Sequence, residues 1–118
     1  LSAAKSSEER AIGVQAMKAA IEIQTNPMRA DALKLSLIEH LIEHEPNSAK
    51  ELLNSLPKPP TVANNATQHR LNARWWTCTS KAQPSLRRIA LREAIAQHRA
   101  AGCPRAAKVL ETQLHLLL

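Results

Sequence analysis

Apolar positions recur at three- and four-residue intervals in six windows, set apart by Pro, Asn or Gly. The first runs from Ser6 to about Gln24. Ser6 and Glu9 have the spacing of a capping box, and Glu8 and Glu9 suit the positive end of the helix dipole. Ile12, Ala16, Ala19 and Ile23 share one side, while Val14, Met17 and Ile21 carry apolar surface round the other. A helix apolar over so much of its girth is expected at the centre of a bundle. Gly13, costly in a helix interior by about 1 kcal/mol, would there permit a close crossing.

Asn26-Pro27 closes this window and opens the next, since Asn is a good N-cap and Pro suits the first helical position. The second helix is expected to reach about His44, with Leu33, Leu35, Leu37, Ile38, Leu41 and Ile42 over a wide apolar arc. Pro46 stops it. Ser48 and Glu51 then offer a second capping box for a short helix to about Leu56, with Leu52, Leu53 and Leu56 inward.

Pro57-Lys58-Pro59-Pro60 reads as a stiff extended connector. A fourth helix is expected from about Asn65 to Trp76 or slightly beyond, weakening through Thr77-Cys78-Thr79-Ser80 and ending before Pro84. Ser85 is placed as the cap of a fifth helix, Leu86 to about Ala101. Gly102 falls where a left-handed residue is expected. Pro104 opens a sixth helix with Ala107, Leu110, Leu114 and Leu117 on one face.

The expected fold is therefore all-α, a small bundle of five or six helices forming one domain over residues 1–118. Its parts are scaffold helices in 1–57, a Pro/Asn-rich connector over 57–65 and a helical unit over 66–118. Composition supports this. The chain has no Phe or Tyr and only two Trp, so its core must be aliphatic and alanine-rich, which suits helix packing. Leu1, rather than Met, at the first position reads as a sign of a processed or excised chain.

Charge divides the chain unevenly. The net charge is +6. Residues 1–57 carry six basic and eight acidic side chains, and residues 58–118 carry ten and two. The first half is near neutral and the second has a net charge of +8. A basic half of this kind points to an anionic partner: DNA or RNA first, an acidic protein surface second. On the fifth helix Arg88, Arg92 and Arg99 fall within about 40° of each other, a stripe able to follow a phosphate backbone. Arg70, Arg74, Trp75, Trp76 and Arg87 complete the candidate contact set. An aromatic ring among arginines can stack on an unpaired base, but adjacent helical residues diverge by about 100°, so one of the two rings is expected in the core.

Other chemistry is weaker. His40-Leu41-Ile42-Glu43-His44 has the H-x-x-E-H spacing of a zinc peptidase. It lacks an evident third ligand, and Pro46 cuts the helix just after it. Cys78 and Cys103 do not have zinc-finger spacing. The Gly102–Pro104 turn resembles that of a DNA-reading helix-turn-helix, but most of the charge lies on the helix before the turn rather than after it. No cofactor is expected, and the function expected is non-enzymatic nucleic-acid binding, as in a regulatory or replication accessory protein. The alternative is a helical protein-interaction module, an adaptor or the binding domain of a secreted effector. No apolar run approaches the roughly 18 residues of a membrane span. Two cysteines make no disulfide framework and suit a reducing compartment, so an intracellular location is expected, in the cytoplasm or at a nucleoid or nucleus; a secreted effector is the alternative.

Overall fold

Six helices account for nearly all of the computed structural model, which describes residues 3–56, 59 and 63–117, with the side chains of residues 3–7 outside that set. They are α1 (Ala3–Ile23), α2 (Pro27–Leu41), α3 (Pro46–Asn54), α4 (Ala66–Ala82), α5 (Arg87–Ala100) and α6 (Pro104–Leu116), with a 3-10 turn at Pro84–Leu86. Among the described residues there is no strand, and the fold is a small all-α bundle.

Several boundaries are set by the local chemistry that the sequence displays. Asn26 Oδ1 accepts from the backbone N–H groups of Met28 and Arg29, and Pro27 occupies the first turn. Asn65 caps α4 by accepting from the Gln68 N–H. Gly102 has φ 75° and closes a Schellman motif: its N–H donates to the Arg99 carbonyl and the Cys103 N–H to the His98 carbonyl.

Other boundaries depart from the sequence expectation. α1 begins at Ala3, which puts Ser6 inside the helix, and any bond of its side chain lies outside the described set. α3 begins at Pro46, so this proline opens a helix as well as ending one, and Ser48 lies in its first turn. Ser85 belongs to the 3-10 turn; Leu86 stands at the cap of α5 with no side-chain bond. α4 continues through Thr77-Cys78-Thr79-Ser80. Thr77, Thr79 and Ser80 each donate a hydroxyl back to a carbonyl of the same helix, those of Ala73, Trp75 and Thr77. These bonds, with the burial of Cys78, Thr79 and Ser80, outweigh weak helix propensity.

Two clusters make the interior. The first joins Val14 of α1, Leu35, Leu37, Ile38 and Leu41 of α2, Ala49 and Leu53 of α3, and Leu71, Trp75 and Cys78 of α4. The second joins Leu91, Ala94 and Ile95 of α5 with Ala107 and Leu110 of α6. Trp76 packs against both. α4 is thus the shared helix: it meets α2 and α3 and makes the most extensive helix contact of the fold, with α5. The connector at 57–62, Pro59 excepted, lies outside the described residues.

The centre of the first cluster is α2, not α1. α2 touches α1, α3 and α4, and its apolar residues form one continuous arc. Leu35, Leu37 and Ile38 are at most 1% exposed, worth roughly 1.5–3 kcal/mol each in burial. The apolar residues of α1 are instead split between opposite sides. Val14, Met17 and Ile21 turn toward the cluster. Ile12, Ala16, Ala19 and Ile23 face solvent. Gly13 serves no crossing among the described residues, since a Cβ there would meet nothing within 4 Å.

Candidate nucleic-acid interface

The sequence candidates fall into three structural groups. The first is interior or nearly so. Trp75 is 2% exposed and belongs to the first cluster, so it presents no ring to a ligand. Trp76 is half-buried where the two clusters meet. One ring of the pair is in the core, as expected, and it is Trp75, which corrects its place among the contact residues; Trp76 keeps part of its surface open.

In the second group are arginines already held by acids. Arg74 meets Glu39 through two hydrogen bonds, Nη2 to Oε1 at 2.7 Å and Nε to Oε2 at 3.2 Å, and Nη2 also donates to Ser36 Oγ at 3.0 Å. This fork ties α4 to α2. Arg99 pairs with Glu111 and ties α5 to α6. Both guanidiniums serve the fold, which removes two of the charges that the sequence assigns to a partner.

The third group remains on the surface. Arg92 projects from α5 with no hydrogen bond or ion pair among the described residues. Arg70 is exposed and has only a long contact, 3.4 Å, to Thr67 Oγ1. Arg88 donates to the Leu117 carbonyl at 2.7 Å, and Arg87 Nε donates to the Ser80 carbonyl at 3.3 Å. Those two bonds engage carbonyls, not acids, so both cations keep their net charge facing water.

The Arg88–Arg92–Arg99 stripe runs along the seam between α5 and α6: Arg88 touches the end of α6 and Arg99 its Glu111. Arg92 stands between them in sequence. Arg105 and Lys108 are also exposed, on the first half of α6. Where α4, α5 and α6 converge, Ser80, Lys81, Arg87 and Gln113 line a cavity of about 290 Å3 together with Leu91, Leu116 and Leu117. Lys81 is absent from the sequence-derived set. Its position close before Pro84, with Arg87 soon after, was the available signal, because the break at Pro84 folds the two back toward one corner.

The start of α5 is electrostatically unusual. Its first turn holds Arg87 and Arg88, has no acid, and lacks a side-chain cap. Cations at a helix N-terminus oppose the helix dipole, whereas an anion placed there is favoured by it. Anything anionic at this corner meets three cations and the positive end of α5 together.

Other reactive groups are quiet. Burial pushes the Cys78 thiol up to about 12, with Glu39 adding to the shift, so it is no ready nucleophile. Burial lowers the pKa of His98, whose Nδ1 has no hydrogen-bond partner among the described residues. His40 and His44 are exposed beyond the core, their ring centroids 6.5 Å apart. Among the described residues no three His, Cys, Asp or Glu side chains converge as a metal site would require, and no helix is long and apolar enough to cross a membrane.

Comparison with protein-family models, curated proteins and solved structures gave no match for the chain.

Proposed function

We propose that the chain is a non-enzymatic nucleic-acid-binding domain that holds phosphates along the α5–α6 seam and the adjoining α4–α5 corner. One observation carries the reading. From residue 58 onward ten cations face two acids, and Glu111, one of those acids, is taken by Arg99. Lys81, Arg92, Arg105 and Lys108 are left without an acidic partner among the described residues, and Arg87 and Arg88 lean only on carbonyls. A surface so unbalanced repels itself and gains by neutralising phosphates with release of their counterions.

Arg87, Arg88 and Arg92 are the contact residues in this reading, with Lys81 added; Arg70 lies apart from them, beside Met28 and Ala32 of α2. A gel-shift series with single- and double-stranded DNA and RNA at two salt concentrations tests it. Binding should weaken steeply as salt rises. Absent or salt-insensitive binding to all four would contradict it.

A second reading is a module for an acidic amphipathic helix. It is favoured by Ile89, Val109 and Leu116, which are exposed on the same two helices as the free cations. A defined protein partner captured after nuclease treatment, with no nucleic acid bound by the purified chain, would select it.

A further inference from the structure

The cavity of about 290 Å3 between α4, α5 and α6 combines charge and hydrocarbon in one lining. It holds the cations Lys81 and Arg87 and the leucines Leu91, Leu116 and Leu117. Among the described residues no carboxylate lines it, and neither cation is paired with an acid. Two further cavities lack this combination. In one, Glu51 joins Lys18 in the lining; in the other, Arg74 beside Arg70 is already held by Glu39.

Local structure explains the combination. The 3-10 turn at Pro84–Leu86 brings the start of α5 back to the end of α4, where Arg87 Nε donates to the Ser80 carbonyl at 3.3 Å. That bond engages one nitrogen of the guanidinium. Its Nη groups make no hydrogen bond among the described residues, which leaves donors of the planar fork for a ligand. Leu91 stands one turn further along α5, about 6 Å down the axis. Arg88 Nη2, donating to the Leu117 carbonyl at 2.7 Å, holds the end of α6 against the same helix. Apolar walls therefore stand within a helical turn of the cations.

The lining sets the chemistry of the occupant. Two unpaired cations favour an anionic group, and the leucines favour a hydrocarbon chain attached to it. At about 30 Å3 for each non-hydrogen atom, the share of a water in the liquid, the cavity holds roughly ten such atoms. We infer that it binds a small amphipathic anion, a carboxylate on an alkyl chain of about eight carbons. Lys81 and Arg87 hold the carboxylate, and Leu91, Leu116 and Leu117 line the chain. Leu116 is 79% exposed, and such a chain covers it. The inference does not rest on nucleic-acid binding. Because Lys81 and Arg87 also belong to that reading, the test is made with nucleic acid absent.

Calorimetric titration of the full chain with octanoate is that test. One octanoate should bind per chain with a Kd of about 1 mM or tighter, which roughly ten non-hydrogen atoms can support. Octanol should bind at least about tenfold more weakly, since it offers the cations no charge. From butanoate to octanoate, affinity should rise roughly two- to fourfold per methylene, the upper value being full burial. Lys81→Gln/Arg87→Gln should weaken octanoate at least about tenfold. Arg105→Gln/Lys108→Gln removes the same charge outside the lining and should leave binding unchanged. Leu116→Gln, at an exposed site, should keep the fold and flatten the dependence on chain length. Octanoate that does not saturate a single site, octanol that binds equally, equal losses in the two charge variants, or an unaltered chain-length dependence in Leu116→Gln overturns the inference.

Discussion

Trp75 meets Trp76 edge to face, with ring centroids 4.8 Å apart and ring planes at 88°, although the two are neighbours in sequence. Trp75 sits in the cluster formed with α2 and α3, and Trp76 reaches on to the α5–α6 cluster. The pair therefore couples the near-neutral helices to the basic ones. Trp75→Ala should destabilise the fold by about 3–5 kcal/mol, the range for emptying a large aromatic site. Trp76→Ala should cost less, because its ring is half-buried. Urea unfolding followed by circular dichroism measures both, and a larger loss for Trp76 than for Trp75 would count against this division of roles.

Arg74 and Glu39 lie 35 residues apart and join α4 to α2 by a two-bonded fork. Both side chains are partly exposed, at 32% and 45%. Solvent screening keeps such a pair to roughly 0.2–1 kcal/mol. A double-mutant cycle with Arg74→Ala and Glu39→Ala should return a coupling in that range. It should fall as salt is added, and a coupling near zero at low salt would show that the fork does not persist in solution.

The two thiols should behave differently. Cys78 is buried and its pKa is raised to about 12, mainly by burial. Cys103 is partly exposed at the α5–α6 turn. Titration with a thiol reagent near pH 8 should label one cysteine per native chain, located at Cys103 by peptide mapping, and both after denaturation. Rapid labelling of both in the native chain would contradict the packing of α4 on α2.

Stability should fall in mild acid through His98. Burial lowers its folded-state pKa below the ordinary value of about 6.5. Once pH drops below that ordinary value, the unfolded chain takes up a proton more readily than the folded one, and stability declines. The decline from this residue stops when pH passes below the lowered folded value. The shift in urea midpoint between pH 7.5 and pH 5 should therefore be smaller for His98→Gln than for wild type. Equal shifts would remove the assignment.

What was legible in the sequence is what local chemistry determines. Asn26-Pro27, Asn65 and Gly102-Cys103-Pro104 each mark a helix end through bonds made within a few residues. Long-range choices were not legible. Propensity alone gives no sign that α4 carries its Thr and Ser hydroxyls into helical hydrogen bonds, because packing on α5 makes that favourable. Nor does a stripe count reveal that Arg74 and Arg99 are claimed by Glu39 and Glu111, since those acids lie 35 and 12 residues away. The apolar girth of α1 was visible, but its placement was not. Two opposed apolar faces look alike in sequence whether both are covered within the chain or one is left open.

The salt dependence of nucleic-acid binding tests the central claim most directly. Affinity should be measured across a salt series for wild type, for Arg87→Ala/Arg88→Ala/Arg92→Ala and for Glu39→Gln as a charge-raising control. Each phosphate contact contributes about 0.9 to the slope of log affinity against log salt on duplex DNA. The triple variant should bind more weakly, with a slope flatter by about 2–3, and Glu39→Gln should bind as tightly as wild type or tighter. An unchanged slope in the triple variant would show that the α5–α6 seam does not carry the contact.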